Sequence, residues 1–249
     1  MKSDRLDLTI WGRHAVREAL ASARAHVQEL FTSDVDKVTS DLEEEARKRS
    51  VRMRRMARTE MDGRFGTDKH QGVGARVELE IWATLREWIA VQARTDEAWT
   101  VLAPDEIQDP QNLGTLIRSA HFFGASALIL TKDRCAPITG VVGKASAGAV
   151  FSLPIIRATN LARELETAGE EAFWRVGLSA EAPKALSGID LKKGRTLLVL
   201  GSEGEGLRPL TSKRCDELAS LPGTGARDSL NVAIAASIAL YEISRQRSA

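Results

Sequence analysis

From residue 98 onward the sequence repeats one pattern: a short, strongly apolar run, then a stretch with helical spacing, then another apolar run. The runs are "WTVLAPD", "ALILT", "FWRVGLS", "TLLVLGSE" and "DELASLP", with "NLGTLIRSAHFFG" and "NLARELETAG" among the intervening stretches. A strand that is apolar at consecutive positions buries both of its faces, and strands joined through helices run parallel. This half of the chain is therefore constrained to an α/β fold with a parallel sheet covered on both sides. Such sheets bind ligands just outside the carboxyl ends of their strands. Polar and glycine residues placed there are the candidates for chemistry.

The first eighty residues alternate differently. "GRHAVREALASAR" has helical spacing, "VQELFTS" reads as a strand, "DLEEEARKRS" as a charged helix and "VRMRRM" as extended chain. "GVGARVELE" shows the period-two alternation of a half-buried strand. "LREWIAVQAR" then reads as an amphipathic helix and "TDEAWT" as a loop into the next strand. These shifts predict a first domain over 1–80, a linker over 81–98 and a second domain over 99–249. No apolar run approaches the ~20 residues that span a bilayer, and the first residues lack the apolar core of a secretory signal. Cys135 and Cys215 belong to no CxxC pair, so neither a zinc site nor a disulfide framework is expected. The expected setting is a reducing one, the cytoplasm.

The balance of 35 basic and 34 acidic residues is uninformative, but its distribution is not. Residues 47–58, "RKRSVRMRRMAR", carry seven cations and no acid. Arg47, Lys48, Arg52, Arg54 and Arg55 are candidate RNA-phosphate contacts, because clustered cations displace counterions condensed on nucleic acid. Glutamates just before them fit equally a solvated helix end favoured by the helix dipole.

Three loops follow strands in the second half. In "DEIQDPQNLGTLIRSAHFFGA" a strand ends near Asp105 and a helix begins near Gln111 or Asn112. Asn112 and Arg118 are either functional or, respectively, a helix cap and a surface ion-pair donor. "TLLVLGSEGEGLRPL" places Gly201, Gly204 and Gly206 among Glu203 and Glu205. The spacing is not that of a dinucleotide loop, and the glutamates would repel a pyrophosphate, so an uncharged or cationic ligand fits better. In "LPGTGARDSLNVAIAASIALYE" Ser229 is expected to begin a helix and alone would cap it. Asn231, between Leu230 and Val232, is then left over, and its amide needs a partner because burying it unpaired costs about 1–3 kcal/mol.

Together and in this order, "NLGTLIRSA", "LVLGSEGEGL" and "LPGTGARDSLNVAIAASIALYE" resemble the three motifs of the SpoU (TrmH-like) class of SPOUT RNA methyltransferases. "KASAGA", residues 144–149, is similar to the segment after the first motif. "IWGRHAVREAL" and "HQGVGARVEL" resemble the start and end of the L30e-like RNA-binding domain that precedes the catalytic one in bacterial enzymes methylating a guanosine ribose of large-subunit ribosomal RNA. The resemblance implies a deep trefoil knot in the second domain and a homodimer with its active site near the subunit interface. It implies S-adenosylmethionine held bent in the knot, near Ser179, Leu200, Gly201, Leu221, Ser229 and Leu230, and no metal. It assigns the catalytic group to Asn112, Arg118, Glu203, Ser229 and Asn231, with Arg118 as a base or as a holder of phosphate. Gly223 and Arg227 depart from the family's third motif, where a bulkier apolar residue and a small residue are usual; "SLN" is intact. A transfer RNA target within the same family, a noncatalytic RNA-binding assembly protein and a dinucleotide-dependent enzyme are the competing expectations.

Overall fold

A computed structural model describes residues 4–33, 40–92, 98–202, 205–224 and 230–248. The amino-terminal part is a four-stranded sheet of β1 (Asp4–Trp11), β2 (Ala25–Ser33), β3 (Arg52–Met56) and β4 (Val73–Ile81), in the order β1-β4-β2-β3. β4 is antiparallel to both β1 and β2, and β2 is parallel to the edge strand β3. α1 (Arg13–Ala21), α2 (Ser40–Lys48) and α3 (Arg58–Phe65) connect these strands. β1 was not among the strands the spacing picked out, because charged residues alternate with its apolar ones and only Leu8 and Ile10 are fully covered.

The second part is a six-stranded sheet of β5 (Thr100–Pro104), β6 (Ala127–Thr131), β7 (Ile155–Ala158), β8 (Phe173–Leu178), β9 (Arg195–Leu200) and β10 (Glu217–Ala219). Its order is β10-β8-β9-β5-β6-β7, and every pairing is parallel. α5 (Pro110–Phe122), α6 (Gly140–Ala145) and α9 (Val232–Arg247) pack on one side; α4 (Leu85–Ala90) and α7 (Leu161–Glu170) pack on the other, with the short α8 (Pro209–Lys213) beside α7. The consecutive apolar residues divide between the two sides as a pleat requires. Leu102, Leu128, Leu130, Leu198 and Leu200 join the core under α5 and α9, whereas Val101, Ala103, Ile129, Leu197 and Val199 join the core under α7.

Part of the stretch expected to be a linker is built into this second layer. The backbone of Trp82 bridges to β7, donating to the Ile155 carbonyl at 3.0 Å and accepting from Arg157 at 2.8 Å. In α4, Leu85, Trp88 and Ile89 are buried, and the Trp88 ring meets that of Trp99 edge-on at 5.1 Å. Apolar side chains with a neighbouring core to enter do not remain in a linker. Residues 93–97 lie outside the described residues.

The core under α5 also continues without a break into the first sheet, through Ile10, Val16 and Leu20. α6, the segment leading into "KASAGA", stands between the two: Gly140 lies under the Trp11 ring. On its other side, a Cβ added to Gly114 of α5 would lie 2.3 Å from the Ala145 Cβ, so only glycine allows the helices to approach this closely.

Candidate active site at the carboxyl edge of the second sheet

Asp105 follows β5, and Asp109 caps α5 by accepting from the backbone N–H groups of Gln111 (3.1 Å) and Asn112 (3.2 Å). Pro110 occupies the first helical position, where its missing N–H costs nothing. Asn112 is therefore not the cap that one sequence reading allowed. It stands in the first turn, and its Oδ1 accepts from Asn231 Nδ2 at 3.1 Å.

The third loop resolves the surplus amide. α9 begins at Val232, not at Ser229, and Asn231 is its cap. Asn231 Oδ1 accepts from the N–H groups of Ala233 (3.0 Å) and Ile234 (3.3 Å), while the amide nitrogen of the same side chain reaches Asn112. A serine could supply the cap, but it has no second polar atom set apart from the capping oxygen to reach α5. Ser229 itself, like Glu203, lies outside the described residues.

The described ends of the second loop come together. Ser202 and Gly206 exchange backbone hydrogen bonds of 2.9 and 3.2 Å, and a Cβ on Gly201 would stand 2.4 Å from the carbonyl carbon of Gly206. Glycine at 201 is thus required by the close approach of the Gly206–Leu207 backbone. Ser202 and Glu205 face Glu106, Ile107, Gln108, Asp109, Asn112 and Val232 across a cavity of about 400 Å³. Three carboxylate side chains on its lining suit a neutral or cationic occupant and oppose a phosphate within it.

The residues expected around S-adenosylmethionine lie along the neighbouring strand ends. Ser179 follows β8, Leu200 ends β9 with Gly201 next, and Leu221 lies just past β10. These three strands are adjacent in the sheet, and the Ser179 N–H bonds the Ala219 carbonyl at 2.9 Å, so the loops after β8 and β10 run together. Three loop backbones meeting at one carboxyl edge, beside a cavity lined with carboxylates, fit a bent cationic donor held chiefly by main-chain groups. Leu230 is half exposed, just before the Asn231 cap.

Arg118 is placed apart from this group. Six residues along one helix turn its side chain about 120° from that of Asn112. It is exposed in a stripe with Gln111, Thr115 and Phe122, does not line the cavity, and among the described residues makes no hydrogen bond or ion pair. The stripe continues onto α9 as Ile234, Ile238 and Tyr241, all exposed; α9 is joined to α5 by Ser237 Oγ, 2.7 Å from Ser119 Oγ, and by the Tyr241 and Phe123 rings at 6.2 Å. One chain therefore unites Asn112 with Asn231 and sets Arg118 on an apolar outer face.

The candidate RNA contacts are exposed on the end of α2 and on the edge strand β3, and each has a carboxylate partner. Arg47 and Arg55 share Glu43 (3.4 Å each), Lys48 pairs with Glu44 (2.9 Å), Arg52 with Glu29 (3.5 Å) and Arg54 with Glu60 (2.9 Å). The run is locally neutralised to a degree its sequence does not show. Exposed pairs of this kind contribute only about 0–1 kcal/mol, so a polyanion is able to displace them. Sequence reasoning also passed over the Asp105–Arg208 ion pair at the root of the first two loops, whose members lie 103 residues apart. Among the described residues no cluster of three or more His, Cys, Asp or Glu could hold a metal ion, and no helix is long and apolar enough to cross a membrane.

Comparison with known proteins gives this geometry a class. Residues 100–241 match the SpoU rRNA methylase family, and residues 9–81 match the RNA 2'-O ribose methyltransferase substrate-binding family. The chain belongs to the SpoU rRNA methylase family, and its six-stranded parallel sheet with an amino-terminal unit is the SPOUT-type α/β fold that the motifs implied. It is 39% identical over 241 residues to the 23S rRNA (guanosine-2'-O-)-methyltransferase RlmB of Xylella fastidiosa, covering 96% of both chains. Among solved structures it is similar to the SpoU methyltransferase AviRb of Streptomyces viridochromogenes in complex with AdoMet (S-adenosylmethionine), with a TM-score of 0.81 and 26% identity over 97% of this chain and 91% of that one. The AdoMet-bound rRNA methyltransferase of Sinorhizobium meliloti gives the same TM-score and identity over 96% of this chain and 87% of that one.

Proposed function

We propose that this chain transfers a methyl group from S-adenosylmethionine to the ribose 2'-oxygen of a guanosine in 23S rRNA, acting as a homodimer in the cytoplasm and without a metal. The observation that carries the reading is the Asn231–Asn112 hydrogen bond, which ties the third motif to the first beside a cavity suited to a cation or a sugar. The likeness to RlmB over nearly the whole chain supports the choice of substrate.

The donor supplies an electrophilic methyl carbon on a sulfonium sulfur. The residues of the chain must then align the hydroxyl in line with that carbon and let its proton depart, because a ribose hydroxyl is a poor nucleophile at neutral pH. Ser179, Leu200, Gly201, Leu221, Ser229 and Leu230 hold the donor. Asn112 and Asn231 fix the two loops between which the sugar enters, and Glu203 with Ser229 completes that site. A guanidinium is a poor proton acceptor and a good phosphate donor, so the role of Arg118 is to hold the phosphate of the target nucleotide while the proton leaves through that phosphate or water. It reaches the site across the dimer: the face of Phe122, Ile234, Ile238 and Tyr241 is covered by a second copy, which brings one subunit's Arg118 to the rim of the other's cavity, outside its carboxylate lining. Residues 1–80 are the RNA-binding domain, with Arg47, Lys48, Arg52, Arg54 and Arg55 exchanging their carboxylates for phosphates. Residues 99–249 are the catalytic domain, and the trefoil knot belongs to it. Its support is the return of the chain from β10, at one edge of the sheet, to α9 packed on α5.

Arg118→Ala tests the reading. Methyl incorporation into 23S rRNA from cells lacking the protein is expected to fall roughly 100-fold, the scale of a lost positioning contact. Calorimetric affinity for S-adenosylmethionine is expected to stay unchanged. An unaltered transfer rate removes Arg118 from the site, and incorporation into transfer RNA alone overturns the substrate.

A further inference from the structure

The cavity is walled by two loops that leave different strands, and one buried carboxylate gathers their roots. Asp105 is 1% exposed. Its Oδ2 accepts the backbone N–H of Arg208 at 3.1 Å; its Oδ1 accepts Nε of the same residue at 2.8 Å and Nη2 as well. The N–H of Asp105 donates to the Leu200 carbonyl at 2.7 Å. One residue thus grips both ends of the glycine loop, at Leu200 where it departs and at Arg208 where it closes. Directly after Asp105 come Glu106–Asp109, one wall of the cavity; the glycine loop carries Ser202 and Glu205, the other wall.

We propose that the Asp105–Arg208 pair is a positioning element for methyl transfer, fixing the separation of the two cavity walls and hence of methyl donor and ribose while touching neither. The inference rests on the function proposed above. Asp105 is buried but the Arg208 side chain is 37% exposed, and an ion pair that reaches solvent is a weak device for stability, since screening and the cost of desolvating the carboxylate offset most of the attraction. Its distinctive property is its geometry: Nε and Nη2 of one guanidinium converge on Oδ1 while the backbone N–H of the same residue meets Oδ2, an arrangement that an ammonium group cannot reproduce. Its location agrees with that use. At the opposite, amino-terminal ends of β5 and β9, Arg247 braces the same strands by donating to the carbonyls of Ala98 (2.8 Å), Trp99 (3.3 Å) and Gly194 (3.2 Å), and among the described residues it makes no ion pair there. Reactive groups must be held to within about 0.5 Å, and a misplacement near 1 Å costs roughly 100-fold. A drift of one wall against the other therefore registers in rate long before the fold is lost.

The test compares Arg208→Lys, which keeps the charge and loses the fork, with Arg208→Gln and Asp105→Asn. Single-turnover methyl transfer at saturating S-adenosylmethionine and 23S rRNA, the Kd for S-adenosylmethionine and thermal unfolding are measured on each full-length chain. Arg208→Lys is expected to lose at least about tenfold in rate and in S-adenosylmethionine affinity, with RNA affinity unchanged and Tm close to that of the parent. The pH–rate profile is expected to keep its shape, since the pair exchanges no proton with the substrate. Asp105→Asn is expected to lose more. If it fails to fold, the two Arg208 variants decide, because there Asp105 keeps its backbone partners. Parental rate in both Arg208 variants overturns the inference, as does a loss that matches the unfolded fraction alone. Should the parent chain methylate no RNA, the function proposed above fails; the pair is then judged on S-adenosylmethionine affinity, which an unchanged Kd would decide against it.

Discussion

Asn231 shows how much one side chain can carry when both ends of its amide are used. The oxygen caps α9 and the nitrogen holds Asn112, so the two roles separate by substitution. Asn231→Asp keeps the acceptor and loses the donor; Asn231→Ala loses both. Thermal or denaturant unfolding should therefore show little change for Asn231→Asp and about 1 kcal/mol of destabilisation for Asn231→Ala, the usual cost of a lost cap. Methyl transfer should fall in both. If Asn231→Asp transfers at the parental rate, the Asn231–Asn112 bond has no part in the site. That an amide was needed was legible in the sequence, because an asparagine stood beyond the expected helix start. That its partner is Asn112, 119 residues earlier, was not.

At the scale of elements, α5 and α9 form one unit with two unlike faces. The inner face buries Leu113, Leu116, Ile117, Val232, Ala236 and Leu240 against the sheet. The outer face exposes Phe122 at 81%, Tyr241 at 56%, Ile234 at 50% and Ile238 at 43%. A contiguous apolar stripe of this kind on a folded chain marks a contact surface. The sequence could not separate the two faces, since "NVAIAASIALYE" is apolar nearly all round and offers no helical moment to read. Ile238→Glu places a charge in the middle of the outer stripe and leaves the inner face intact. Sedimentation is expected to show the parent as a dimer and the variant as a monomer, with methyl transfer lost, as the proposed role of Arg118 at a partner's cavity requires. A variant that remains dimeric moves the interface elsewhere.

For the whole molecule, the two sheets share one core. Beyond the apolar contacts around Ile10 and Val16, Ser22 Oγ donates to the Phe151 carbonyl at 2.5 Å, and the Arg24 guanidinium donates to the carbonyls of Ser152 (3.1 Å) and Glu80 (3.2 Å) while lying 5.0 Å from the Trp82 ring. Burial pushes the Arg24 pKa down to about 10, partly offset by Glu80, so this cation is a built-in part of the joint and not a surface charge. Halves joined in this way lose their cover together. Calorimetry of the full chain should give one cooperative transition, and Arg24→Ala should lower it as a whole, by roughly 1–3 kcal/mol for the carbonyls left without a donor. Two well-separated transitions, only one of them shifted by Arg24→Ala, would show that the halves unfold independently.

Taken alone, the sequence determined the class of the fold and the three places where chemistry could sit. Consecutive apolar residues in β5, β6 and β9 demand burial on both faces, a local property that no tertiary detail overrides. Loop residues in a specific order were enough to expose the family resemblance. The tertiary structure alone decided which loop residues meet, because hydrogen-bond partners far apart in sequence leave no periodic trace. It brought Asn112 to Asn231 and Asp105 to Arg208, turned Arg118 outward, and paired Arg52, Arg54 and Arg55 with carboxylates on neighbouring elements. Periodicity reports which face a residue occupies; only packing fixes what stands opposite.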